Sequence, residues 1–129
     1  MKGLAKIAMV IGLVGLAFNA NAFDIGEKAK MAAAQCAHKA EMYELRNGDG
    51  NGYMEMFFNV ACEYKAVIPL FKDAGMDKVP EVKKYMDRAE KHFHELKKEM
   101  EAPEMEEGRQ AMELGELMGF NIKNRVQHL

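Results

Sequence analysis

Residues 36–62 read CAHKAEMYELRNGDGNGYMEMFFNVAC, and the fold turns on how this stretch divides. Its middle, Asn47-Gly48-Asp49-Gly50-Asn51-Gly52, is made only of residues that favour turns, so it predicts a reversal between two helical segments. Cys36 precedes Arg46 by ten residues and Cys62 follows Met54 by eight. At ~1.5 Å per residue the two cysteines stand about 15 and 12 Å from the turn. An antiparallel helix pair therefore brings them level, where a disulfide can form.

Upstream of this hairpin, residues 1–22 carry the pattern of an export signal. Lys2 and Lys6 form a positive start, Ile7 to Phe18 is apolar, and Ala20-Asn21-Ala22 is a small-x-small cleavage site before Phe23. The apolar run is shorter than the ~20 residues a bilayer span needs. Removing 22 of the 129 residues leaves 107, residues 23–129, enough for a single helical domain. Lys2 and Lys6 leave with the signal, so 16 basic residues face 20 acidic ones, a net charge of −4. That balance disfavours a nucleic-acid partner. A periplasmic or secreted destination is oxidising and favours a Cys36–Cys62 bond, and there is no C-x-x-C to suggest a redox pair.

The rest of the chain is helical in pattern. Asp24 with Glu27 three residues on forms a capping-box pattern for a first mature helix over 24–46, with Ile25, Ala29, Ala32, Cys36, Ala40 and Tyr43 inward. A second helix is expected over 54–73 on a stripe of Phe57, Ala61, Tyr64, Ile68 and Phe71, with Pro69 kinking or ending it early and Gly75 terminating it. The third, over 80–102, has the most regular seam: Val79, Val82, Met86, Ala89, Phe93, Leu96 and Met100. The fourth, over 104–118, carries Ala111, Gly115 and Gly119 at every fourth position. Interior glycines cost ~1 kcal/mol each in helix propensity, so this end is expected to be weakly ordered, with no pattern assigned to 119–129. The reading is all-α: an antiparallel bundle of three to four helices stapled by one disulfide.

The composition restricts chemistry. The chain has no Ser, Thr or Trp, which removes hydroxyl nucleophiles of the Ser and Thr kind, and a disulfide would remove the thiolates. His92 with Glu95 and His38 with Glu41 are acid–histidine neighbours of the sort that arise by composition in Glu-rich helices, and no nucleophile or phosphate loop accompanies them. The expectation is a protein that is not an enzyme.

The turn also resembles the first nine positions of an EF-hand calcium loop, with Asn47, Asp49 and Asn51 at one, three and five, Gly52 at six, Tyr53 at seven and Glu55 at nine. The resemblance ends at position twelve, where Phe58 replaces the bidentate glutamate. It implies weak calcium binding at most. Splayed EF-hand helices would also separate the cysteines beyond disulfide reach.

The mature stretch holds ten methionines and four histidines, which raises copper or haem as an alternative. His92 and His94 are two apart on a helix and cannot grip one ion, and no C-x-x-C-H attachment exists. No cofactor is expected. What remains is a binding module for another exported protein, of inhibitor, immunity or chaperone type, with no membrane span once the signal is removed. Its contact surface is expected at Tyr53 on the loop tip and at Lys84, Arg88, Lys91 and His92 on the third helix.

Overall fold

The structure is a computed structural model in which residues 20–129 are described, with side chains from Asp24 onward. The expected export signal therefore falls largely outside the described residues. Four helices follow in order, α1 (Ala20–Asn47), α2 (Tyr53–Asp73), α3 (Pro80–Glu99) and α4 (Glu106–Gln127), with short 3-10 turns at Met76–Lys78 and Pro103–Met105. No strand occurs among the described residues. Cys36 and Cys62 are bonded, with their Cα atoms 5.7 Å apart, so α1 and α2 run side by side as the hairpin requires.

The central element is α2. It packs against α4, α1 and α3, and α1 also touches α4. The expected stripe on α2 is only part of what it buries. Phe58, Cys62, Ala66, Val67 and Leu70 are buried as well as Phe57, Ala61, Ile68 and Phe71, so nearly the whole circumference is enclosed. A helix buried on nearly all sides has to be covered by several neighbours, and three do this. Pro69 neither ends the helix nor shortens it, because α2 continues to Asp73. Gly75 then takes a left-handed φ of 70°, and Val79 is extended before Pro80 opens α3.

Two expectations need correction. The chain is already helical from Ala20, so Asp24 lies inside α1 and caps nothing; it pairs instead with Lys28 at 3.6 Å, and Glu27 pairs with Lys30. The larger correction is α4, which continues to Gln127 and makes the most extensive contact among the described helices, against α2. Its glycines are the reason. A Cβ on Gly115 would collide with the backbone carbonyl of Phe58, and one on Gly119 with that of Cys62. The propensity lost at these positions is offset by close helix approach, and Ile122 and Val126 beyond them are buried. Arg109 fastens the start of α4 to the end of α3. Its Nη1 donates to the Met100 carbonyl at 2.6 Å and the Ala102 carbonyl at 3.3 Å, groups a helix end leaves without an intrahelical partner.

Candidate functional site

The sequence-predicted loop lies at the end of the hairpin, and an acid the sequence analysis passed over organises it. Glu44 is buried in the last turn of α1. Its Oε2 accepts the Gly50 N–H at 2.9 Å and its Oε1 accepts the Glu55 N–H at 3.0 Å. The first bond folds the loop back onto α1. The second satisfies a donor in the first turn of α2, where the helix dipole favours negative charge. A Cβ on Gly48 would overlap this carboxylate, so a side chain there would displace Glu44 from its present place, while Gly50 and Gly52 hold φ of 91° and 87°. One signal for Glu44 was present in the sequence. An acid in the last turn of a helix opposes that helix's own dipole, which singles out the position, while its burial came only with the structure.

Beyond Glu44 the loop closes on itself. Asp49 Oδ1 accepts the Asn51 N–H at 3.2 Å and Asn51 Oδ1 accepts the Tyr53 N–H at 2.9 Å, two consecutive Asx turns. These bonds hold the loop wall of a cleft of about 370 Å³ lined by Asn47, Gly48, Asp49, Asn51, Tyr53, Met54, Phe57, Met105 and Glu107. The cleft has an apolar floor and an acidic rim. Tyr53 is 51% exposed and stacks on Phe57, with ring centroids 6.4 Å apart and planes 17° from parallel. Glu107 comes from α4 and stands near enough to Tyr43 that, after burial, its charge contributes to raising the Tyr43 hydroxyl above its ordinary value. The cleft thus joins the hairpin end to the start of α4, a meeting the sequence alone did not indicate.

The structure divides the residues considered for calcium. Asn47, Asp49, Asn51 and Tyr53 line the cleft, whereas the Glu55 side chain is buried and is not part of it. Phe58, at the position of the missing glutamate, packs in the core with its ring 5.2 Å from Tyr43. Among the described residues no group of three or more His, Cys, Asp or Glu is placed to hold a metal.

The contact residues proposed on the third helix lie elsewhere. Lys84, Arg88, Lys91 and His92 are exposed on α3, and the Lys84 end of α3 is level with Phe71, whose ring meets Tyr85 at 6.0 Å. Phe71 is eighteen residues along α2 from Tyr53, which at ~1.5 Å per residue separates the two ends by about 27 Å. Tyr53 and Lys84 therefore do not share one surface. His94 is also exposed, its ring edge-on to Tyr64 and Phe93, and His38 is exposed on α1.

A second polar feature lies inside the bundle, and of its residues the sequence analysis named only Glu55. Glu55, Asn59 and Glu63 repeat every four residues on α2 and are all buried. Burial holds the Glu63 carboxyl well above the usual carboxylate range. Across from it on α3, burial and then the Glu63 charge raise the Tyr85 hydroxyl well above its ordinary value, with Arg88 opposing. Among the described residues the Tyr85 hydroxyl and Asn59 Oδ1 have no hydrogen-bond partner. The spacing of four was visible in the sequence; the burial was not.

No protein-family model matches the chain, and neither does any curated protein or solved structure. No described helix is long and apolar enough to cross a membrane.

Proposed function

We propose that the protein is a non-enzymatic binding module for another exported protein and that the loop-end cleft is its contact site. The observation that carries this reading is a surface feature held by rigid supports: Tyr53 projects from a loop fixed by Glu44 and two Asx turns, on a hairpin closed by the Cys36–Cys62 bond. A recognition surface held in one conformation loses little entropy on binding. The floor of Met54, Phe57 and Met105 suits an aliphatic stem, and the rim of Asp49 and Glu107 suits a positive head, so the fitting occupant is a Lys- or Arg-bearing segment of the partner. Weak calcium binding is the lesser reading, because the cleft without Glu55 offers carboxylates only from Asp49 and Glu107.

The test is site-specific photo-crosslinking in cells, with the photoreactive residue replacing Tyr53 in one variant and Lys84 in another. A discrete adduct to one exported protein at position 53, lost when Asp49→Lys is added, is expected. An adduct from position 84 and none from position 53 would move the site to α3 and overturn the cleft assignment.

A further inference from the structure

The outer face of α4 carries three large apolar side chains that the fold leaves uncovered: Leu114 at 47% exposure, Leu117 at 59% and Phe120 at 58%. They recur every three residues and form one patch on the side opposite Gly115 and Gly119, which face α2. Isolated exposed leucines are ordinary, but a contiguous patch on one helix marks an interaction surface.

The surroundings of the patch say what covers it. Toward the start of α4 the flank is acidic, with exposed Glu106, Glu107 and Glu113. Toward its end a shallow recess between α1 and α4 is lined by Lys39, Asn121, Asn124 and Arg125. One end of the face is negative and the other positive, with Leu117 between them.

We propose that this face binds a second copy of the same chain in an antiparallel, two-fold pairing centred on Leu117. Rotation about that centre sets Leu117 on its own counterpart and Leu114 on the partner's Phe120, so six apolar side chains meet. The same rotation brings the acidic start of each α4 over the basic recess of the other and opposes the two helix dipoles. A parallel pairing would instead set Glu106, Glu107 and Glu113 beside their own copies, and like charges in contact are unfavourable. Three residues per copy make a small contact, so the association is expected to be weak and of the transient class that buries less than about 1,200 Å². This inference shares Glu107 with the loop-end cleft but does not use the apolar floor of that cleft.

Sedimentation equilibrium of the whole protein over a wide concentration range is the first test. A monomer–dimer equilibrium is expected, with Leu117→Glu raising the dissociation constant at least ~tenfold, since a charge on the axis meets itself. The melting temperature of the monomer should not move, because Leu117 is exposed. A monomer at every concentration, or a Leu117→Glu variant that dimerises as the parent does, overturns the proposal. Cysteine cross-linking tests the direction. Leu117→Cys should oxidise to a covalent dimer; Gln110→Cys, seven residues off the axis and so ~21 Å from its mate, should not. Gln110→Cys together with Asn124→Cys should cross-link. Bonding by Gln110→Cys alone, or none by Leu117→Cys, would overturn the antiparallel register.

Discussion

The central helix meets two of its neighbours by different means. Against α1 it is joined covalently, through Cys36–Cys62, with Glu44 tying the hairpin end. Against α4 it has no covalent tie, and closeness comes from what is missing, the Cβ atoms of Gly115 and Gly119 over the carbonyls of Phe58 and Cys62. Both joints meet at Cys62, which bonds to α1 with its side chain and receives α4 on its backbone. The comparison teaches that small residues in a helix carry opposite meanings: a cost in an isolated helix and a condition of contact in a packed one.

The covalent joint should be the more expensive to break. Reducing a bond that spans 26 residues is expected to cost roughly 3.5 kcal/mol on the chain-entropy account. At ~4–8 °C per kcal/mol for a domain of this size the melting point should fall by more than 10 °C, read by circular dichroism with and without reductant. A shift of a degree or two would show that the non-covalent joints hold the hairpin unaided.

Gly119→Val tests the glycine joint directly. The added side chain meets backbone, which cannot rotate away, so a loss of about 3 kcal/mol is expected in urea unfolding. Gly115→Val should behave alike. If either is neutral, α4 does not pack on α2 as described.

The polar tie comes next. Glu44→Ala removes the acceptor of two backbone N–H groups near a helix start and should cost roughly 2–3 kcal/mol, with Glu44→Gln losing less because its carbonyl can keep one bond. Equal losses in the two variants would mean that the charge, and not the hydrogen-bond geometry, is what the loop requires.

Glu63 adds a pH dependence of its own. Its folded pKa is raised by burial, so its contribution to stability is fully present below the unfolded value of 4.5 and is lost as pH rises through the folded value. Glu63→Gln should therefore raise stability at neutral pH and flatten the melting-point profile above pH 4.5. An unchanged profile would show that the carboxyl is solvated.

The smallest effect is a control on the glycines. Among the described residues a Cβ at Gly26, in α1, meets nothing within 4 Å, so Gly26→Ala should stabilise by up to ~1 kcal/mol on propensity alone. Destabilisation there would remove the distinction between packing glycines and incidental ones.

These elements also mark what could be read from residues. The turn at 47–52, the staple and the α3 seam were legible because each rests on local rules: turn chemistry, helical rise and apolar period. Even there the signal was partial, since Tyr85 joins the buried face of α3 beside Met86 and was not on the expected seam. The cleft was half legible. Asp49, Asn51 and Tyr53 stood in the quoted stretch, but Met105 and Glu107 lie some fifty residues further on, and only packing brings them to the loop.

By itself, then, the sequence determined an all-α hairpin-based architecture, since helix, turn and disulfide are decided by neighbours along the chain or by matched heights. The tertiary structure decided which face of each helix is inside. Glu44, Glu55, Asn59 and Glu63 are buried against their polarity, while Leu114, Leu117 and Phe120 are exposed against theirs. The physical reason is that burial belongs to the pair of surfaces that meet, not to the residue. With α2 enclosed on nearly every side, its polar positions go inside with the rest, and α4, held by backbone contacts at its glycines, turns its leucines outward.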